Sequence, residues 1–387
     1  MHIVYSGEEA PKKVSKSIFL AGPSMRHAGD INWRPEAFKI LEKLGYDGVV
    51  YAPIWREGAK PQKEKTFDYD GQVEWETKYL QQADVILFWV PRDLEKAPGM
   101  TTNVEWGLYL HSGRCVLGYP KDAVKMTYLD WWAHREGAPV FHTLEDTLKE
   151  ALKRIGEGSE RTGGERDIPL QVWQKQDFQD WYKAQKGAGN VLRGAQVVWS
   201  FRVGKNKERT FLYSLHVDVW ITSENRAKTN EIVIFRPDIS AVVAYKRGRT
   251  LLETEIALVK EFRSPVSNQD CYVHELPGGS SLKPGQQPEQ VASDELREET
   301  GLEVAASRFR YIGARQIAPT LAAHKAHVFA VELTDSDMLK LRWLALQVHG
   351  NHEDSEYTYI EIKTVGELLQ SPQVGWADLG MLLSTIL

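Results

Sequence analysis

The sequence predicts a doubly wound parallel α/β sheet followed by an α+β half, and three observations lead there. Short apolar strands alternate with helical patterns from Ser17 to about Ile155. The run ADVILFWV is apolar almost throughout, as a strand covered by helices on both faces must be. From about Val191 the pattern turns to successive strands with one acidic helix among them.

A chain of 387 residues is expected to form two or three domains. A hydrophobic content of 42% and a charged content of 26% are those of an ordinary globular protein. The formal net charge of -5 gives no electrostatic case for nucleic acid or a membrane surface as partner. Cys115 and Cys271 stand far apart without metal-ligand spacing, which predicts free thiols and a cytoplasmic location. No run approaches the roughly 18 apolar residues that span a bilayer, and MHIVYSGEEAPKKVSK lacks the apolar centre of a signal peptide.

Residues 1–17 read as a tail. SIFLAGP is then the first strand, PEAFKILEKLGY a helix and GVVYAPI a strand, which is βαβ logic. ADVILFWV follows, then TTNVEWGLYLHSG as a helix, RCVLGYP as a strand and TLEDTLKEALKRI as the helix that closes a domain over 18–155. The polar, Gly-rich GEGSERTGGERD marks a boundary and opens a linker over 156–190. Within it, LQVWQKQDFQDWYKAQ carries a Trp and Phe stripe that reads as a docking helix rather than a ligand box. The second domain, 191–387, begins with QVVWSFRV, TFLYSLHVDVWIT, NEIVIFR, ISAVVAYKR and EIALVKEFR as strands. It continues through the acidic helix to FRYIGARQI and AHKAHVFAVEL, with a last helix near VGELLQS.

In ASDELREETGL, residues three and four apart share a helix face, so Glu295 projects beside Glu298 and Glu299. Carboxylates that close call for a cation, and all-oxygen ligation suits Mg²⁺ or Mn²⁺. The alternative is a solvated acidic face with Gly301 as C-cap. Before the helix, Gly278 and Gly279 follow Pro277 in a turn able to approach a phosphate.

Loop and helix together resemble the Nudix box, whose helix half is kept from Glu295 to Leu302. The resemblance implies an α+β Nudix fold in which Glu295, Glu298 and Glu299 bind the divalent ions that activate water and neutralise a diphosphate. Glu298 is thereby a catalytic candidate as well as a ligand. The loop half departs from the pattern: one extra residue follows Gly279, Gln286 stands where the first Glu belongs, and Asp294 replaces an Arg.

The flanks EFRSPV, with Arg263, and HELPGG, with Glu275, resemble the ADP-ribose pyrophosphatase branch. That implies substrate binding by both residues and a homodimer through this domain, although Arg263 reads equally as a strand-end side chain in water. In that branch a mobile acidic loop supplies the base. Here GNHEDSEYTYIEI offers Glu353, Asp354 and Glu356, of which Glu356 is the candidate.

In the first half, GMTTNVEWG lies beyond the carboxyl end of the buried strand, where open α/β sheets bind ligands. Thr101 and Thr102 are candidate caps. Taken alone, Glu105 in the first turns also reads as a carboxylate complementing the helix dipole. SIFLAGP, Ala83-Asp84, Trp33-Arg34-Pro35, Glu74-Trp75-Glu76, Trp89-Val90-Pro91-Arg92 and the core from Thr102 to Gly107 resemble the nucleoside 2-deoxyribosyltransferase family. The resemblance implies that Glu105 attacks the anomeric carbon of a nucleoside, expelling the base and leaving a glycosyl-enzyme. Gly99 stands where the family carries an Asp, and Glu76 aligns with another family Asp. Handling of the base then falls to Glu76, Arg92 or Asn103. Gly22 either lets backbone N–H groups reach a sugar or phosphate or makes a tight turn.

The expectation is a bifunctional enzyme acting on nucleotide or nucleoside substrates, hydrolysing an ADP-ribose type diphosphate with Mg²⁺ (or Mn²⁺) and cleaving or exchanging an N-glycosidic bond. Two rivals stand beside it: a Nudix hydrolase whose first domain only binds substrate, and a nucleotide-binding sensor with a degenerate Nudix fold.

Overall fold

The computed structural model describes residues 1–24, 32–56, 69–281, 283 and 285–387. The side chain of Asp354, named above in the acidic loop, lies outside this description. Two compact units result, Met1–Phe235 and Arg236–Leu387.

The first unit contains strands β1 (His2–Tyr5), β2 (Lys13–Val14), β3 (Ser17–Ala21), β4 (Val49–Ala52), β5 (Val85–Trp89), β6 (Cys115–Gly118), β7 (Val140–Phe141) and β8 (Arg161–Thr162). Helices α1 (Arg34–Lys43), α2 (Tyr69–Gln82), α3 (Met100–Tyr109), α4 (Thr127–Glu136) and α5 (Leu144–Ile155) connect them. A parallel sheet runs in the order β1-β4-β3-β5-β6-β7.

Every residue of β3 and of β5 is buried. Phe19, Ile86 and Phe88 share one core with Trp75 and Tyr79 of α2, Trp106 of α3 and Leu129 of α4. Helix α5 packs on β5, on β6 and on α1. A strand covered on both faces has no polar side to show, which is why ADVILFWV is apolar nearly throughout. Helix α4 escapes the sequence reading because Met126 offers no side-chain cap and Trp131, half exposed, blurs the apolar stripe.

The expected tail contains an edge strand, β1, paired with β4 from His2↔Val49 to Tyr5↔Ala52. The expected linker over 156–190 is likewise part of the first unit. Arg161 donates from Nη1 and Nη2 to Oδ1 and Oδ2 of Asp84, each at 2.7 Å, and both residues are buried. The backbone N–H groups of Ser17 and Leu170 complete the carboxylate's bonds at 2.8 Å each. A buried ion pair is tolerated when its remaining lone pairs are met in this way, so Asp84 ties the polar segment to the start of β5.

Beyond it come α6 (Leu170–Trp173) and α7 (Gln176–Gly187), then a three-stranded antiparallel sheet of β9 (Val191–Val203), β10 (Arg209–Ile221) and β11 (Arg226–Phe235). Phe178 of α7 is fully buried, its ring 6.0 Å from that of Phe235, which stacks on Tyr213 at 5.0 Å. The aromatic stripe is therefore a docking face. The sheet it docks on belongs to the first unit, so the compact division falls after Phe235 rather than near residue 190.

The second unit is a mixed sheet flanked by helices. Its strands are β12 (Ile239–Lys246), β13 (Glu255–Phe262), β14 (Tyr272–Glu275), β15 (Gly278–Gly279), β16 (Arg310–Gln316), β17 (Lys325–Glu332) and β18 (Thr358–Thr364). β12 and β17 run parallel and the remaining pairs antiparallel. Helices α8 (Pro288–Thr300) and α9 (Asp335–Leu344) bury Leu296 and Leu341 in one core; α10 (Val365–Gln370) and α11 (Trp376–Ile386) bury Leu368 and Leu382 in another. The chain thus ends on α11 rather than near VGELLQS. Among the described residues no helix is long and apolar enough to cross a membrane.

Candidate active sites

In the first unit the chain leaves β3 for β4 on one side and returns to β5 on the other. A crevice opens beyond the strand ends at such a switch point, and a cavity of about 360 Å³ is found there. Gly22, Pro23 and Ser24 after β3, Glu76 from α2, and residues 97–102 with Glu105 after β5 supply most of its wall.

Gly22 takes φ +147°, and a Cβ there would stand 2.1 Å from the carbonyl oxygen of Trp89. Only glycine permits that approach, so the LAGP turn is dictated by contact between neighbouring strand ends. Gly99, in left-handed conformation, is the N-cap of α3 with no side-chain cap bond. Thr101 and Thr102, expected as caps, lie instead within the first helical turn and line the cavity.

Glu105 faces this cavity, and burial pushes its carboxyl up to about 8, with Glu76 repelling and Arg34 attracting its charge. Burial also raises Glu76, against a hydrogen bond of 2.8 Å from Gln72 Nε2 and the charge of Arg34. Arg34 is fully buried. Its Nη2 donates to Gly22 O at 2.9 Å, its Nε to Leu20 O at 3.2 Å, and its Nη1 to Pro23 O and Ser24 Oγ at 3.3 Å each. Within the motif Trp33-Arg34-Pro35 no role attaches to Arg34 from sequence alone; its signal is a charged residue opening a helix.

Arg92 and Asn103, candidates for handling a base, are joined to each other, Arg92 Nη2 donating to Asn103 Oδ1. Nη1 of Arg92 donates to Lys125 O at 3.0 Å. Neither residue is among those that line the cavity. Of the three base-handling candidates, Glu76 is the one that faces it.

In the second unit, β15 pins the glycine loop against β12 through Ser240↔Gly279 and Ala241↔Gly278. A Cβ on Gly278 would meet Ser240 O at 2.4 Å, and one on Gly279 would meet the Glu295 carboxylate at 2.6 Å. Gly278 N–H donates to Glu299 Oε2 at 2.8 Å. Glu299 is buried and its carboxyl is pushed well up, by burial first and then by Glu295. Glu295 is raised to about 7 by burial and by Glu298, Glu356 and Asp294, against Arg263. Glu275 rises to about 7 through burial and Asp378.

Arg263 Nη2 stands 2.8 Å from Glu261 Oε2, and Nη1 stands 3.9 Å from Glu356 Oε1. The acidic loop meets the end of α8, since Gly350 N–H donates to Glu298 O at 3.0 Å and Thr358 Oγ1 to Glu299 O at 2.9 Å. Arg236, which no sequence motif marks, donates from Nη2 to Ser280 Oγ at 2.9 Å beside the glycine loop.

Glu298 is exposed, and among the described residues no three His, Cys, Asp or Glu side chains converge to hold a metal ion. The three glutamates expected to share an ion are thus near one helix end without forming a closed ligand set. Their chemistry nonetheless fits a hard divalent cation. The donors are all oxygen, and burial together with mutual repulsion raises the carboxyls of Glu295 and Glu299, a strain that a cation would relieve.

Residues 15–123 match the family model described as nucleoside 2-deoxyribosyltransferase like, so the chain carries such a domain within its first unit. No curated protein matches the chain.

Proposed function

We propose that the first unit cleaves or exchanges an N-glycosidic bond of a nucleoside-type substrate and that the second is a Nudix-type hydrolase of an ADP-ribose type diphosphate. The observation that carries the first reading is the pair of carboxylates, Glu105 and Glu76, on one cavity at the sheet's switch point. Glu105 attacks the anomeric carbon, Glu76 passes a proton to the departing base, and the Gly22–Ser24 turn bounds the sugar. Water or a second base then releases the glycosyl group.

The second reading is supported by the contact of Gly278 and Gly279 with Glu299 and Glu295, and by the approach of Glu356 to Arg263. A bound Mg²⁺ would supply charge neutralisation for a diphosphate and an activated water. Glu295, Glu298 and Glu299 would hold it, Arg263 and Arg236 would bind phosphate oxygens, Glu275 would help orient substrate, and Glu356 would accept the water's proton. A homodimer through this unit, and both units acting in turn on one molecule, belong to the same proposal.

The test is mass spectrometry of products from nucleosides, nucleotides, NAD⁺ and ADP-ribose compounds with Mg²⁺ or Mn²⁺. Free base should depend on Glu105 and nucleoside monophosphate on Glu298. Base release that persists in Glu105→Ala, or diphosphate cleavage that persists in Glu298→Gln, would sink the corresponding half. Binding without turnover would favour the sensor.

A further inference from the structure

Glu261 is buried near the end of β13, a place where a glutamate side chain is rarely found without a partner. Its strand neighbours are Val273 of β14 and Thr358 of β18, and Thr358 Oγ1 reaches on to Glu299 O at the end of α8 at 2.9 Å. Arg263, two residues further, projects to the same side, as alternate residues of an extended segment do. Its Nη2 comes within 2.8 Å of Glu261 Oε2, yet that oxygen accepts no aligned hydrogen bond among the described residues, so the pair is held by charge. The other edge of the guanidinium, Nη1, stands 3.9 Å from Glu356 Oε1. The backbone of Arg263 is fixed as well, because Val266 N–H donates to Arg263 O at 3.0 Å and closes a turn.

The two members of the pair are unlike in exposure: 6% of the Glu261 side chain meets solvent and 44% of the Arg263 side chain. The carboxylate is therefore the anchor and the guanidinium the part that meets a ligand. A buried anchor costs stability unless a cation stays beside it. Burial raises the carboxyls of Glu261, Glu275 and Glu295, and Arg263 opposes the rise at each.

From this contact we propose that Glu261 is a positioning residue of the second site, a buried carboxylate that holds one edge of the Arg263 guanidinium and so presents the other edge, beside Glu356, to a phosphate oxygen of the substrate. The inference rests on the reading of the second unit as a diphosphate hydrolase. In that reading Arg263 touches the substrate and Glu261 acts through it. A guanidinium anchored on one side loses little freedom when phosphate binds, and so binds it more tightly than one that must first be ordered.

The first measurement needs no substrate. In the full chain labelled with ¹⁵N-arginine, with the Arg263 signals assigned by Arg263→Lys, the wild-type guanidinium should rotate slowly about its Nε–Cζ bond, and Glu261→Gln should release it. Fast rotation in the wild type overturns the proposal, and that outcome stands even if Glu261→Gln does not fold. The second measurement is steady-state cleavage of ADP-ribose with Mg²⁺. Glu261→Gln should raise KM about 3–10-fold, part of the worth of a charge-assisted bond, and leave kcat within about twofold. Glu261→Asp should recover part of the loss. Added to Arg263→Ala, Glu261→Gln should raise KM no further, since nothing is left for it to position. Additive losses, or a fall in kcat with an unmoved KM, would overturn the proposal. So would a higher Mg²⁺ requirement in Glu261→Gln, which would make Glu261 a metal ligand instead. Absence of cleavage in the wild type would remove the hydrolase reading, leaving the guanidinium rotation to decide whether Glu261 holds Arg263.

Discussion

Gln286 Nε2 donates a hydrogen bond of 2.8 Å to Asp294 Oδ2, so two positions that depart from the Nudix pattern are partners of each other. The pattern has an acidic residue in the loop and a basic one on the helix; here the carboxylate is on the helix and a neutral amide donates from the loop. Ser281 Oγ donates to Gln286 Oε1, and Gln290 Nε2 donates to Asp294 Oδ1 at 3.1 Å. The loop is fastened with reversed polarity, and the added charge contributes to the raised pKa of Glu295.

A double-mutant cycle of Gln286→Ala and Asp294→Ala in urea should give a coupling of about 0.5–1.5 kcal/mol, the worth of one partly buried hydrogen bond. Additive losses would mean the two substitutions are independent.

Stability should fall as pH rises. Glu295 and Glu275 are raised to about 7 and Asp378 to about 6, and burial is the first cause in each. A raised folded-state pKa means that the native chain holds protons the unfolded chain has lost, so the benefit is complete below the unfolded value and disappears as pH passes the folded one. The melting temperature should therefore decline between about pH 4.5 and 8, and millimolar Mg²⁺ should recover part of the loss at pH 8 if the carboxylates take the ion. A flat or rising profile across that window would contradict the assignment. Asp270 and Asp337, lowered to about 2, lose their contribution only in stronger acid and leave the window untouched.

Gly22→Ala should destabilise the first unit by about 2–4 kcal/mol, because the new Cβ meets a backbone oxygen and the φ is strained for any L side chain. Gly45→Ala is the control: its φ of +74° is also left-handed, yet a Cβ there meets nothing within 4 Å. Equal losses in thermal denaturation would mean that backbone strain alone, without the Trp89 contact, explains the glycine.

Asp84→Asn should cost about 3–5 kcal/mol, since it leaves Arg161 buried without its counter-charge. The companion expectation is that a chain ending at residue 155 folds poorly, because it lacks Arg161 and leaves Asp84 unpaired. Native-like melting of that fragment would return the domain end to where the sequence alone puts it.

Periodicity and motif spacing sufficed to read the parallel sheet, the strand-rich second half and the acidic helix. ADVILFWV was legible because burial on both faces writes itself into consecutive residues. The docking face of α7 was legible because its aromatic residues recur at helical spacing. Helix α4 was not, for want of a cap and a clean stripe, and neither was the pairing of β1 with β4, a contact made across more than forty residues.

The sequence by itself therefore determined the central strands of the parallel sheet, the docking helix and the acidic helix, and which short motifs carry Glu105 and the glutamates of α8. Only tertiary structure decided that Asp84 serves Arg161 rather than a ligand, that Arg92 bonds to Asn103 and is not among the residues lining the cavity, and that Arg34 bonds to the carbonyls of the Gly22 turn. The physical reason is range. Secondary structure follows from neighbours along the chain, whereas the partner of a buried charge is whatever group the fold brings within hydrogen-bond reach, and its spacing in sequence carries no trace of that choice.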